Sequence, residues 1–144
     1  MTQSELLNLF SKANPVEPIL SQMDDQTPKH FQVQNLIGSA KSFYSLELFK
    51  KANRPLVFIL KDKETAAYHL NELEDFLSKE EVMFYPGSYR RPYEIEETDN
   101  ANVLLRAEVL NRLNSRKKPV IIVTYPNALF EKVVTKSELN RNTL

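Results

Sequence analysis

Lysine followed directly by serine, at the head of a run with helical spacing, is the pair in this sequence best placed to do chemistry. In a phosphate-binding loop, G-x-x-x-x-G-K-[ST], glycines let successive backbone N–H groups wrap phosphate oxygens. The lysine reaches those oxygens and the hydroxyl holds magnesium. The stretch NLIGSAKSFYSLELF keeps Lys41 and Ser42 but puts Asn35 and Ala40 in the two glycine positions, with Gly38 between them. Ala40 adds a Cβ where the backbone should close on the phosphate. Asn35 must start the turn, a position asparagine tolerates because it enters left-handed backbone geometry. No apolar run ends in an acid that would hold magnesium, since VIIVTY ends in Thr124 and Tyr125. The expectation is a vestigial loop that binds no cofactor, with Lys41 solvated at the start of a helix.

A second constellation is YPGSYRRPYE, which mixes Tyr85, Tyr89 and Tyr93 with Arg90 and Arg91. Tyr89, Arg90, Arg91 and Tyr93 make a nucleic-acid candidate, because aromatic rings stack on bases while arginines hold phosphates. The favoured alternative is a surface loop whose arginines pair with Glu94, Glu96 or Glu97. The acidic run EIEETD lacks the alternating oxygen ligands and glycine turn of a calcium loop, so no metal is expected there, and Thr98 and Asp99 read as a helix cap. His30 and His69 fall in different elements, and no nucleophile triad can be argued from spacing. Without cysteine the chain has no disulfide, thiolate metal site or cysteine nucleophile.

Around these residues the chain reads as about one domain of 144 residues, 42% hydrophobic and 26% charged. Nothing approaches the roughly 18 apolar residues of a membrane span, and Glu5 interrupts the N-terminal apolar segment, so no membrane or secretory role is expected and the location is read as cytoplasmic. Lysine plus arginine (19) balances aspartate plus glutamate (19), so weak or no DNA binding is expected from the chain as a whole. Residues 1–28 read as an N-terminal helical extension, with helices at 4–13 and about 15–23. Residues 29–134 read as the main α/β lobe, and 135–144 as a truncated lead into a following domain. Within the lobe FQVQNLI alternates like a strand. PLVFIL is a continuous apolar run of the kind covered on both faces, and EVMFYPG and VIIVTY are further strands. Helical spacing fills the intervals, with Ala66, Leu70, Leu73 and Leu77 on one stripe. Alternating strands and helices imply a parallel sheet flanked by helices, with right-handed crossovers.

The ordered set FQVQNLIGSAKSFYSLELF, RPLVFILKDKETAAYHLNELEDFL, VMFYPGSYRRPYE and KKPVIIVTYPNALFEKVV resembles the N-terminal part of bacterial transcription-repair coupling factors. That part is similar to the first domain of the repair protein UvrB, which implies a RecA/P-loop-like fold of the UvrB domain 1a type. UvrB keeps an intact phosphate loop and inserts a long aromatic hairpin after the third strand. Asn35, Ala40 and the short interval GSYRRPYEIEETD favour the coupling factor. The resemblance implies a parent that displaces stalled RNA polymerase with an ATP- and magnesium-dependent DNA translocase located elsewhere in its chain. It also implies recruitment of UvrA through an adjacent domain. This chain would then be a noncatalytic scaffold lobe. The alternative is an active nucleotide-binding P-loop domain of a UvrB-like or helicase-like ATPase that uses a tolerant loop.

Overall fold

The computed structural model describes residues 2–23, 27–89, 99–115 and 118–133. The chain divides into two compact units, Met1–Arg54 and Pro55–Leu144, a division that falls within the 29–134 span.

In the first unit, α1 (Gln3–Lys12) begins in a reciprocal capping box. Thr2 Oγ1 accepts from the Glu5 N–H, and the Glu5 carboxylate accepts from the Thr2 N–H at 2.7 Å. α2 (Glu17–Leu20) is a single turn, shorter than the helix expected over 15–23. α3 (Ala40–Ala52) stops at Asn53, whose left-handed φ of 49° closes its C-terminus. Tyr44, Leu46 and Phe49 are its buried apolar residues, and Glu47 is buried among them. Glu47 accepts from Ser11 Oγ at 2.8 Å and pairs with Lys51 Nζ at 3.0 Å. Burial pushes its carboxyl up, but the hydrogen bonds from Lys51 and Ser11 outweigh that and hold it below the ordinary carboxylate value.

Residues 31–37, expected as the first strand, form no strand. Phe31, Val33 and Ile37 are exposed, Ile37 to 82%. Period-two alternation specifies a strand only where a ladder partner and a covered face exist to use it. Here the alternating side chains are left uncovered.

The second unit runs β1 (Leu56–Ile59), α4 (Lys63–Glu74), β2 (Val82–Tyr85), α5 (Asn100–Ser115), β3 (Ile121–Thr124) and α6 (Pro126–Phe130). The strands form a three-stranded parallel sheet in the order β1-β3-β2, with Leu56 opposite Ile121 on one side and Val82 opposite Ile121 on the other. With α4 against β2 and β3, and α5 against β2, this is the α/β sheet flanked by helices that the alternation of runs predicts, preceded by an N-terminal helix.

Every residue of the central strand β3 is buried. β1 departs from expectation. Val57 and Ile59 are 51% and 54% exposed, so this apolar run is covered on one face only. α4 and α5 make their main contacts with β2 and β3, and α4 meets β1 through the His69 ring on Phe58, which leaves the face carrying Val57 and Ile59 uncovered. α4 starts at Asp62, whose carboxylate accepts from the Thr65 N–H at 2.8 Å, and buries Ala66, His69 and Leu73. His69 thus takes the buried place expected for Leu70, its ring 5.5 Å from that of Phe58 and its Nδ1 3.1 Å from the Glu72 carboxylate.

Candidate functional site

Two places in the described residues bear on chemistry, the first singled out in the sequence and the second adjoining the tyrosine-arginine segment. The first is the turn into α3. Asn35 has a φ of 65° and Gly38 a φ of 53°, so both take the left-handed backbone that the turn demands. The chain then closes on itself. The Ala40 N–H donates to the Ile37 carbonyl and the Lys41 N–H to the Gly38 carbonyl, each at 3.2 Å. In a phosphate loop such N–H groups face the ligand; here they are engaged by the turn's own carbonyls. Lys41 is exposed and Ser42 is buried. An open pocket of about 360 Å³ in this unit lies at the opposite end of α3, lined by Glu17, Leu20, Lys51 and Arg54 among others. It does not include the lysine-serine pair.

The second place is the carboxyl end of β2 and β3, the side on which open parallel sheets bind ligands. Arg106 of α5 reaches it from within the core. Its Nη1 donates to the carbonyls of Pro86 at 2.8 Å and Ala128 at 2.9 Å, and lies 3.4 Å from Glu131 Oε2. The guanidinium carbon sits 4.2 Å from the centre of the Tyr85 ring, within cation–π range. Arg106 Nη2 is buried and has no hydrogen-bond partner among the described residues.

Glu131 accepts from the Ser88 N–H with both oxygens, at 3.0 and 2.9 Å, and from Ser88 Oγ at 2.6 Å. The Gly87 N–H donates to the Tyr125 hydroxyl at 2.8 Å, and Thr124 Oγ1 donates to the Tyr85 carbonyl at 2.8 Å. A Cβ on Gly87 would stand 2.8 Å from Glu131 Oε1 and 3.2 Å from the Tyr125 hydroxyl, so glycine is required there by close approach. Burial raises the Tyr85 phenol against the opposing pull of Arg106, and burial raises that of Tyr125 as well. Both phenols are favoured in the neutral form, and that of Tyr125 accepts from the Gly87 N–H.

These contacts also pin the base of the tyrosine-arginine segment. The Asp99 N–H donates to the Ser88 carbonyl at 2.8 Å and Asn102 Nδ2 to the Gly87 carbonyl at 2.9 Å, which ties Gly87 and Ser88 to the start of α5. Tyr89 leaves this base exposed. Arg90, Arg91 and Tyr93, with Glu94, Glu96, Glu97 and Thr98, lie outside the described residues, as do residues 135–144. Asp99 caps α5 as expected, accepting from the Ala101 N–H at 3.0 Å.

Sequence reasoning did not single out Arg106 or Glu131. A signal for the first was present, because Asn102, Arg106, Val109 and Leu113 share one helical stripe by spacing. For Glu131 there was none, since nothing local marks its partner Ser88. Among the described residues no group of three or more His, Cys, Asp and Glu side chains could hold a metal, and no helix is long and apolar enough to cross a membrane.

Comparison with known proteins bears out the resemblance carried by the ordered segments. The chain is similar to the transcription-repair-coupling factor of Rickettsia bellii, 28% identical over 105 residues, which is 72% of this chain. It spans 9% of the length of that relative. No family model matches the chain, and no solved structure does.

Proposed function

We propose that this chain is the first lobe of the UvrB-like module of a transcription-repair coupling factor and that it acts as a noncatalytic scaffold. The observation that carries this reading is the 28% identity over 105 residues to the Rickettsia bellii coupling factor. The turn into α3 supports the noncatalytic part, since the Ala40 and Lys41 N–H groups are engaged by carbonyls and Ser42 is buried. In this reading the parent displaces stalled RNA polymerase by ATP-driven movement on DNA, through parts of the protein outside this lobe. The lobe itself hydrolyses no ATP, needs no cofactor and works in the cytoplasm. Its task is to hold a neighbouring domain in the pose that meets UvrA. Val57 and Ile59 on the edge strand, and Leu129 and Phe130 on α6, are exposed apolar side chains suited to packing against the rest of such a parent.

Titration calorimetry with ATP and magnesium tests the noncatalytic role, with no binding expected in the micromolar range. A micromolar Kd, about 8 kcal/mol of binding, would overturn it in favour of an active nucleotide-binding domain. The partner assignment is tested separately by pull-down. UvrA should be held weakly or not at all by residues 1–144, and well by a chain extended through the domain that follows in the family. Equal capture by both would refute the division of labour.

A further inference from the structure

From the geometry at the ends of β2 and β3 we infer that Ser88 and Arg106 form a binding site for a phosphate-type oxyanion, which the chain's own Glu131 carboxylate fills in this structure. The Ser88 N–H and hydroxyl donate to Glu131 at 2.6 to 3.0 Å, and Arg106 Nη1 stands 3.4 Å from the same carboxylate as its counter-charge. Arg106 is 6% exposed, and its other hydrogen-bond partners, the Pro86 and Ala128 carbonyls, are uncharged. An anion is therefore the natural complement of the site, since a buried charge without a counter-charge is strongly disfavoured.

A carboxylate completes this complement only in part. Its two oxygens accept from Ser88, Nη1 donates to the Pro86 and Ala128 carbonyls, and Arg106 Nη2 remains buried without a partner among the described residues. A tetrahedral oxyanion carries further oxygens and could satisfy it, and arginine suits such multi-point recognition.

The cradle also has supports that do not run through Glu131. Gly87 is held by the Tyr125 hydroxyl and by Asn102, and the Ser88 carbonyl by the Asp99 N–H. The missing Cβ of Gly87 leaves room for an oxygen close to the backbone, since an added Cβ would stand 2.8 Å from Glu131 Oε1. Glu131 itself follows the last residue of α6 in extended conformation, so the path of the chain after Phe130 sets whether its carboxylate enters the cradle. The site is thus closed in cis and opens when Glu131 withdraws.

The test compares wild type, Glu131→Ala and Glu131→Ala/Ser88→Ala in thermal melts with sodium phosphate, sodium formate or sodium chloride at equal ionic strength. In Glu131→Ala, phosphate should raise Tm saturably above chloride, as a ligand of the native state must. Low millimolar phosphate should leave wild type unmoved, and Ser88→Ala should weaken the apparent phosphate affinity about 10-fold, the loss of one charge-assisted hydrogen bond. Equal responses to phosphate and chloride would overturn the inference. So would a shift already present in wild type at low millimolar phosphate or untouched by Ser88→Ala, or a response to formate alone, which would mean that the cavity merely takes back a carboxylate. If Glu131→Ala does not fold, ¹⁵N-labelled wild type carries the test. High phosphate, by competing with Glu131, should move the Ser88 amide resonance where chloride does not, and an unmoved Ser88 signal would sink the proposal.

Discussion

Replacing Arg106 by methionine should lower the unfolding free energy of the second unit by about 3 kcal/mol, the cost of breaking a buried ion pair by removing one partner. Methionine keeps an unbranched apolar stem, so the loss isolates the guanidinium. Without it the Pro86 and Ala128 carbonyls lose their donor, the Tyr85 ring loses its cation, and Glu131 loses its counter-charge. Each buried acceptor left unpaired accounts for about 1 kcal/mol of that loss. Urea unfolding followed by far-UV circular dichroism measures the change. A double-mutant cycle with Glu131→Gln should return a coupling of about 1 kcal/mol or more between two side chains in one network. A loss below about 0.5 kcal/mol would mean that the cluster behaves as a surface ion pair despite its burial.

Leu73→Ala should cost about 3 kcal/mol in the same measurement. Leu73 has no exposed surface, and its helix α4 packs against both β2 and β3, so truncation leaves a cavity that rigid strands are poorly placed to fill. Leu104→Ala is the internal comparison. That side chain, on α5, is 70% exposed, and its truncation should change stability by less than about 0.5 kcal/mol. The midpoint should shift with little change in the slope of the urea curve, because the surface exposed on unfolding is almost the same. Similar losses for the two leucines would place the core of the second unit elsewhere.

What the sequence determined by itself is what depends on near neighbours along the chain. Alternation of apolar runs with helical spacing settled the α/β class, and VIIVTY is a strand as its apolar run implies, although its central place in the sheet came from tertiary pairing. Asn35 takes the left-handed backbone that asparagine tolerates, and Asp99 caps α5, both effects confined to a few residues. Tertiary structure decided the rest. FQVQNLI has the strand alternation but no strand, and PLVFIL is a strand with one open face, because pairing and cover come from elements far away in sequence. The candidate oxyanion cradle is the clearest case. Arg106 meets Pro86 across 20 positions and Ser88 meets Glu131 across 43, so neither pair has a local period, cap or turn to announce it. A charged residue on a helical stripe reads as solvated until the strand ends beside it are known. Only the Pro86 and Ala128 carbonyls, the Tyr85 ring and the Glu131 carboxylate make burial of that charge favourable.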